Sequence, residues 1–167
     1  LHIFHLYNNW FGFTLNSENQ TLTRFDFGID FSAPPSATNL GNIGNFSGPT
    51  GIFAINDNGF WRVFITNSVY GTKFTRLDFG SSLLNAPQVV DLGNIDNLFI
   101  RPRDLIIMKF CDETVGFVVD STGIEKLTFK DGLGQPPQAE MIGNVGGLDF
   151  PHSISRIFRV GSDLFCF

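Results

Sequence analysis

Residues 23–28 read "TRFDFG", and residues 75–80 read "TRLDFG". An Asp-Phe-Gly that ligates magnesium in a phosphotransferase occurs once and stands among other fixed signatures, none of which is present. Two copies at matched spacing point to internal repetition instead. A degenerate third copy, "EKLTFK", spans 125–130, so Arg24, Arg76 and Lys126 fall in register.

Three further anchors recur in the same order. An aromatic segment ending in Phe appears as "WFGF" (10–13), "WRVF" (61–64), "TVGF" (114–117) and "LFCF" (164–167). A glycine-asparagine motif follows each hexamer: "LGNI" (40–43), "LGNI" (92–95) and "IGNV" (142–145). Pro49, Pro102 and Pro151 each precede an apolar run, "GIFAI", "DLIIM" and "SISRIF". Matching residues lie 49 to 53 apart throughout. Chance apolar matches would not keep both order and spacing.

Each unit resolves into four strands. In the second unit these are expected at "GIFAIN", "FWRVFITN", "KFTRLDF" and "QVVDLGNI". "NDNG" (56–59) has the residues that tolerate the positive φ of a tight hairpin. Leu77 and Phe79 share one strand face, and Phe74, Arg76 and Asp78 the other. Four-stranded antiparallel units of about 50 residues in series are the mark of a β-propeller. The expected fold is all-β, a propeller with four-stranded antiparallel blades at 1–50, 51–102 and 103–152 and the start of a fourth at 153–167. About three and a third blades cannot close a disc, so a segment of a longer propeller is expected, with its remaining blades as partners.

Composition agrees with strands. Phe contributes 20 residues and Gly 18, while only 16% of residues are charged. The net charge of −5, without a basic stripe, argues against nucleic acid as a partner. No apolar run approaches the roughly 20 residues that span a bilayer. Cys111 and Cys166 are too few for a disulfide framework.

The succession Pro49-Thr50-Gly51-Ile52, Trp61, Thr75-Arg76-Leu77-Asp78-Phe79-Gly80, Pro87 and Leu92-Gly93-Asn94-Ile95 resembles the propeller repeats of secreted and surface proteins of Bacteroidetes. The layout is also similar to NHL and YWTD propellers. The resemblance implies an extracellular or cell-surface setting, export by type IX secretion, and first strands lining a central channel. "DST" (120–122) resembles the O-glycosylation sites of such exported proteins. Asp104 and Ser153 replace Gly51, and Thr114 replaces Trp61, in the later copies.

Catalytic chemistry finds little purchase. There is no nucleophile elbow, zinc helix or C-x-x-C pair. "DNGFW" (57–61) is an incomplete Asp-box, read as a hairpin followed by a packed Trp. His2 and His5, at odd spacing on one strand, point to opposite faces. No catalytic, cofactor or metal residue is assigned. Recognition is expected from loops that differ between units. Those loops hold Phe46, Tyr70, Asp96, Phe99, Arg101, Arg103, Asp149, Phe150 and His152. Of these, Tyr70, Phe99, Arg101, Arg103 and His152 are the candidate face for a protein or glycan ligand. The expected role is a binding or structural module, the alternative being part of a carbohydrate-active propeller enzyme with its acid and base in other blades.

Overall fold

The computed structural model describes residues 1–6, 8–69, 72–110, 113–155, 158–160 and 163–165, the last two segments by backbone alone. Three four-stranded sheets follow one another along the chain. The first contains β1 (His2–Leu6), β2 (Asn9–Asn16), β3 (Thr21–Gly28) and β4 (Ser36–Gly41). The second contains β5 (Pro49–Asp57), β6 (Phe60–Asn67), β7 (Lys73–Gly80) and β8 (Gln88–Asp91). The third contains β9 (Pro102–Phe110), β10 (Glu113–Asp120), β11 (Gly123–Thr128) and β12 (Gln138–Gly143). Each is an antiparallel meander in chain order. A two-stranded ribbon, β13 (Phe158–Val160) and β14 (Asp163–Phe165), comes last. The one helical element among the described residues is a 3-10 turn at Ile95–Asn97.

The hexamer has a backbone reason to recur. Trp10 pairs with Gly28 but Phe11 pairs with Asp26, so Phe27 is an extra residue in β3. Trp61, Gly80, Arg62 and Asp78 repeat this, with Phe79 extra. Gly28 and Gly80 take φ of 69° and 71°, the left-handed conformation that this kind of bulge assigns to glycine. The same device explains "LGNI". Gly41 and Gly93 have φ of 75° and 67°, and their N–H groups donate to Asn39 and Asp91 two residues earlier. The chain then leaves the sheet. The fourth strand of the second unit therefore stops at Asp91 rather than running to Ile95 as the apolar pattern suggested.

Another difference lies at "SISRIF". Ser153–Ser155 form no strand, and the described pairing of this segment involves Phe158–Val160. Arg156 and Ile157 lie outside the described residues, as do Cys111 and Cys166. The "NDNG" expectation holds, with Asn58 and Gly59 at φ 53° and 88° between β5 and β6.

The second sheet is covered on both faces. Phe11, Phe13, Leu22, Trp61, Val63, Leu77 and Phe79 bury the side shared with the first sheet. Phe64, Phe74, Leu105, Val118, Leu127 and Phe129 bury the side shared with the third. Trp61 is packed, its ring 5.1 Å from that of Phe4 across the first interface. Polar contacts join the same sheets. Arg24 donates to the Leu83 carbonyl at 2.7 Å, and Arg76 donates to the Leu133 carbonyl at 3.1 Å. In both cases the arginine of one sheet's third strand reaches the loop before the next sheet's fourth strand. The interface is thus directional and repeated.

Candidate functional site

The first strands bring the sheets closest together. β1 packs on β5, and β5 on β9, whereas the fourth strands make no comparable approach to one another. Gly51 permits this: a Cβ there would stand 2.7 Å from both the Asp104 Cα and the Thr66 hydroxyl. Thr50 closes the same junction, donating to the Pro102 carbonyl at 2.7 Å.

At this end of the strands lies a cavity of about 360 Å³. Its polar lining includes Thr50, Arg103, Asp104 and His152, and its apolar lining includes Ile52, Phe53, Leu105 and Ile106. Thr50, Arg103 and His152 each follow the unit's proline, so the repeat delivers three unlike side chains to one mouth. A second hollow of about 550 Å³ adjoins it and shares Arg103. Arg101, Thr72 and Ser68 also line that groove.

The loop presenting Arg101 is held firmly. Asp120 is fully buried, and its Oδ2 accepts from the backbone N–H groups of Ile100 and Arg101, both at 2.8 Å. The Asn94 side chain bonds the N–H and carbonyl of Phe99, as Asn42 does for Phe46 in the preceding unit. That clamp is why asparagine follows the glycine in "LGNI". Yet neither the Arg101 nor the Arg103 side chain makes a hydrogen bond or ion pair among the described residues. In contrast, Arg24, Arg62, Arg76, Lys73, Lys109 and Lys126 are all engaged.

Asp104, next to Arg103, is occupied elsewhere. Its Oδ1 accepts from the Leu105 N–H at 2.9 Å and its Oδ2 from the Ile154 N–H at 3.2 Å. Burial pushes its carboxyl above the ordinary range, against the pull of those two N–H groups.

The expected recognition residues therefore divide. Arg103 and His152 both line the cavity, and Arg101 lies along the groove. Phe99 does not belong to an exposed face: it is 2% exposed and packs edge-on against Phe74, their centroids 6.1 Å apart. Phe46 is likewise buried. Both stand in loops by sequence, but the asparagine clamp turns each ring inward as a plug between sheets. Asp96 is spent on the Ala139 N–H of β12. Asp149 and Phe150 are exposed. Tyr70 lies outside the described residues. His2 and His5 do face apart, against Phe53 and Trp10 respectively.

Two acidic residues carry more than sequence reading gave them. Asp120 opens "DST", and the Ser121 and Thr122 hydroxyls both donate to its carboxylate. Glu125 is fully buried, and neither of its oxygens has a hydrogen-bond partner. Burial, then the nearby Asp120 charge, pushes its carboxyl up to about 7. The signal available was positional. Asn67 and Thr75, hydrogen-bonded at 3.2 Å, occupy the equivalent places in the second sheet.

Among the described residues no three His, Cys, Asp or Glu side chains gather to hold a metal ion, and no helix is long and apolar enough to cross a membrane. No family model, curated protein or solved structure matches this chain.

Proposed function

We propose that this chain is a segment of a secreted or cell-surface β-propeller that serves as a protein- or glycan-binding module, with Arg101, Arg103 and His152 on its recognition face. The propeller reading is supported by the sheet order, the fanning of the sheets from their first strands, and the repeated one-way arginine contact. The extracellular setting rests on the sequence resemblance.

One observation carries the binding role. Arg101 and Arg103 have guanidinium groups without partners among the described residues, Arg101 on a tightly pinned loop and Arg103 at the start of β9. Arginines that merely support a fold find partners, as Arg24 and Arg76 do here. A planar, preorganised donor left open to a cavity suits an incoming carboxylate or carbonyl. The loop is already ordered, so binding avoids much of the entropic cost of fixing it.

The test is the double substitution Arg101→Ala and Arg103→Ala in the full-length protein. Binding to a partner captured from the native surface, protein or glycan, should weaken by about 1–3 kcal/mol while Tm stays within about 1 °C. If Tm and binding fall together, the arginines hold the loop and the recognition reading fails.

A further inference from the structure

We infer that the cavity between the first strands accepts a uronic acid residue of an acidic polysaccharide, with its carboxylate on Arg103 and His152. The inference rests on the binding role proposed above and specifies the ligand's chemistry.

Arg103 is half-buried at the cavity wall and has no partner there, although a carboxylate stands next to it in sequence. Asp104 accepts from the Leu105 and Ile154 N–H groups and makes no ion pair with Arg103. Arg103 thus lines the cavity with guanidinium donors that no described residue satisfies, a fork that matches a carboxylate.

Asp104 also decides what kind of acid fits. Asp104 lines the cavity, and each of its oxygens has the capacity for a second donor. An acidic peptide has few hydroxyl donors to offer those acceptors. A sugar acid brings a single carboxylate and several neutral hydroxyl donors. Asp104 and Thr50 can receive those hydroxyls, while Phe53, Leu105 and Ile106 offer an apolar wall to the ring's C–H face. A volume of about 360 Å³ accommodates one sugar ring with some water. The adjoining groove runs from Arg103 to Arg101, so the site is open to a chain rather than restricted to a free monosaccharide.

Isothermal titration of the full-length protein with short oligomers of galacturonate and of mannuronate tests this. The matching neutral galactose oligomer and a hexaglutamate peptide serve as the other two arms. At least one uronate oligomer should bind about ten-fold or more tightly than both, a difference of roughly 1.4 kcal/mol. Arg103→Gln and His152→Gln should each remove about ten-fold of that affinity with Tm unchanged, and Arg103→Lys should restore part of it. Neutral and acidic sugars binding alike, hexaglutamate binding as tightly, or no uronate binding at all would overturn the inference. If no uronate binds but the Arg101→Ala, Arg103→Ala variant still loses a native partner, the inference falls and the wider binding role stands. If both results are negative, both fall.

Discussion

Glu125 occupies a position that the repeat fills with threonine in the other two sheets, Thr23 and Thr75. In the second sheet a neutral pair, Asn67 and Thr75, satisfies itself by a hydrogen bond. In the third sheet Asp120 replaces Asn67 and spends its carboxylate on the Arg101 loop. That leaves Glu125 buried without a donor and beside a negative charge. Its carboxyl, raised to about 7 from an ordinary value of 4.5, holds its proton more tightly folded than unfolded. Stability is then greatest below about pH 4.5 as far as this group is concerned, and falls as pH rises towards 7. The loss is at most about 1.4 kcal/mol per pH unit across that window. Urea midpoints of the full-length protein between pH 4.5 and 7.5 should show the decline, and Glu125→Gln should flatten it. Identical slopes for the two proteins would mean that Glu125 is ionised throughout. Strand period places Glu125 on the same buried face as Leu127, but that it finds no donor there depends on the residues of the neighbouring strand and sheet.

The hexamer shows what an element writes into its own sequence and what it leaves to its neighbours. Glycine at its end and aromatic residues on alternate positions were legible because backbone conformation and strand period leave marks in composition. The interlocking of sheets was legible only as a choice between a salt bridge and a contact to the neighbouring unit. Arg76 makes both. Its Nε and Nη2 bind the two oxygens of Asp78 at 2.9 and 3.0 Å, while Nη1 reaches Leu133. Lys126, its counterpart, lacks the fork and pairs with the exposed Glu140 of its own sheet instead. Arg76→Ala should therefore cost about 2–4 kcal/mol, leaving the buried Leu133 carbonyl without its donor and Asp78 with only Arg62, at 3.5 Å. Lys126→Ala should cost less than about 1 kcal/mol. Denaturation midpoints in the full-length protein check the pair, and equal losses would show that the arginine contact adds nothing beyond a surface ion pair. The loop aromatics mark the limit of such reading: Phe46 and Phe99 look exposed by position and are turned inward by a clamp four or five residues upstream.

On the scale of the whole molecule the three sheets share one polarity. Leu77 and Phe79 face the preceding sheet, and Leu127 and Phe129 do the same one unit later. The equivalent pair in the first sheet, Phe25 and Phe27, adjoins an aromatic cluster in which Phe31 contacts both Trp10 and Phe27, each at 5.1 Å. Phe31 holds the position of Leu83 and Leu133, the residues whose carbonyls receive the arginines. Those leucines are each 1% exposed, whereas Phe31 is 54% exposed. If the sheets are blades of a larger propeller, another sheet of the same repeat covers Phe25, Phe27 and Phe31, and its third-strand arginine donates to the Phe31 carbonyl. Hydroxyl-radical footprinting of the full-length protein reads this directly, with Phe60, 56% exposed on the hairpin between β5 and β6, as an internal standard. The propeller account predicts that Phe31 is protected to the level of Leu83 and Leu133 while Phe60 reacts freely; Phe31 reacting as fast as Phe60 would contradict it.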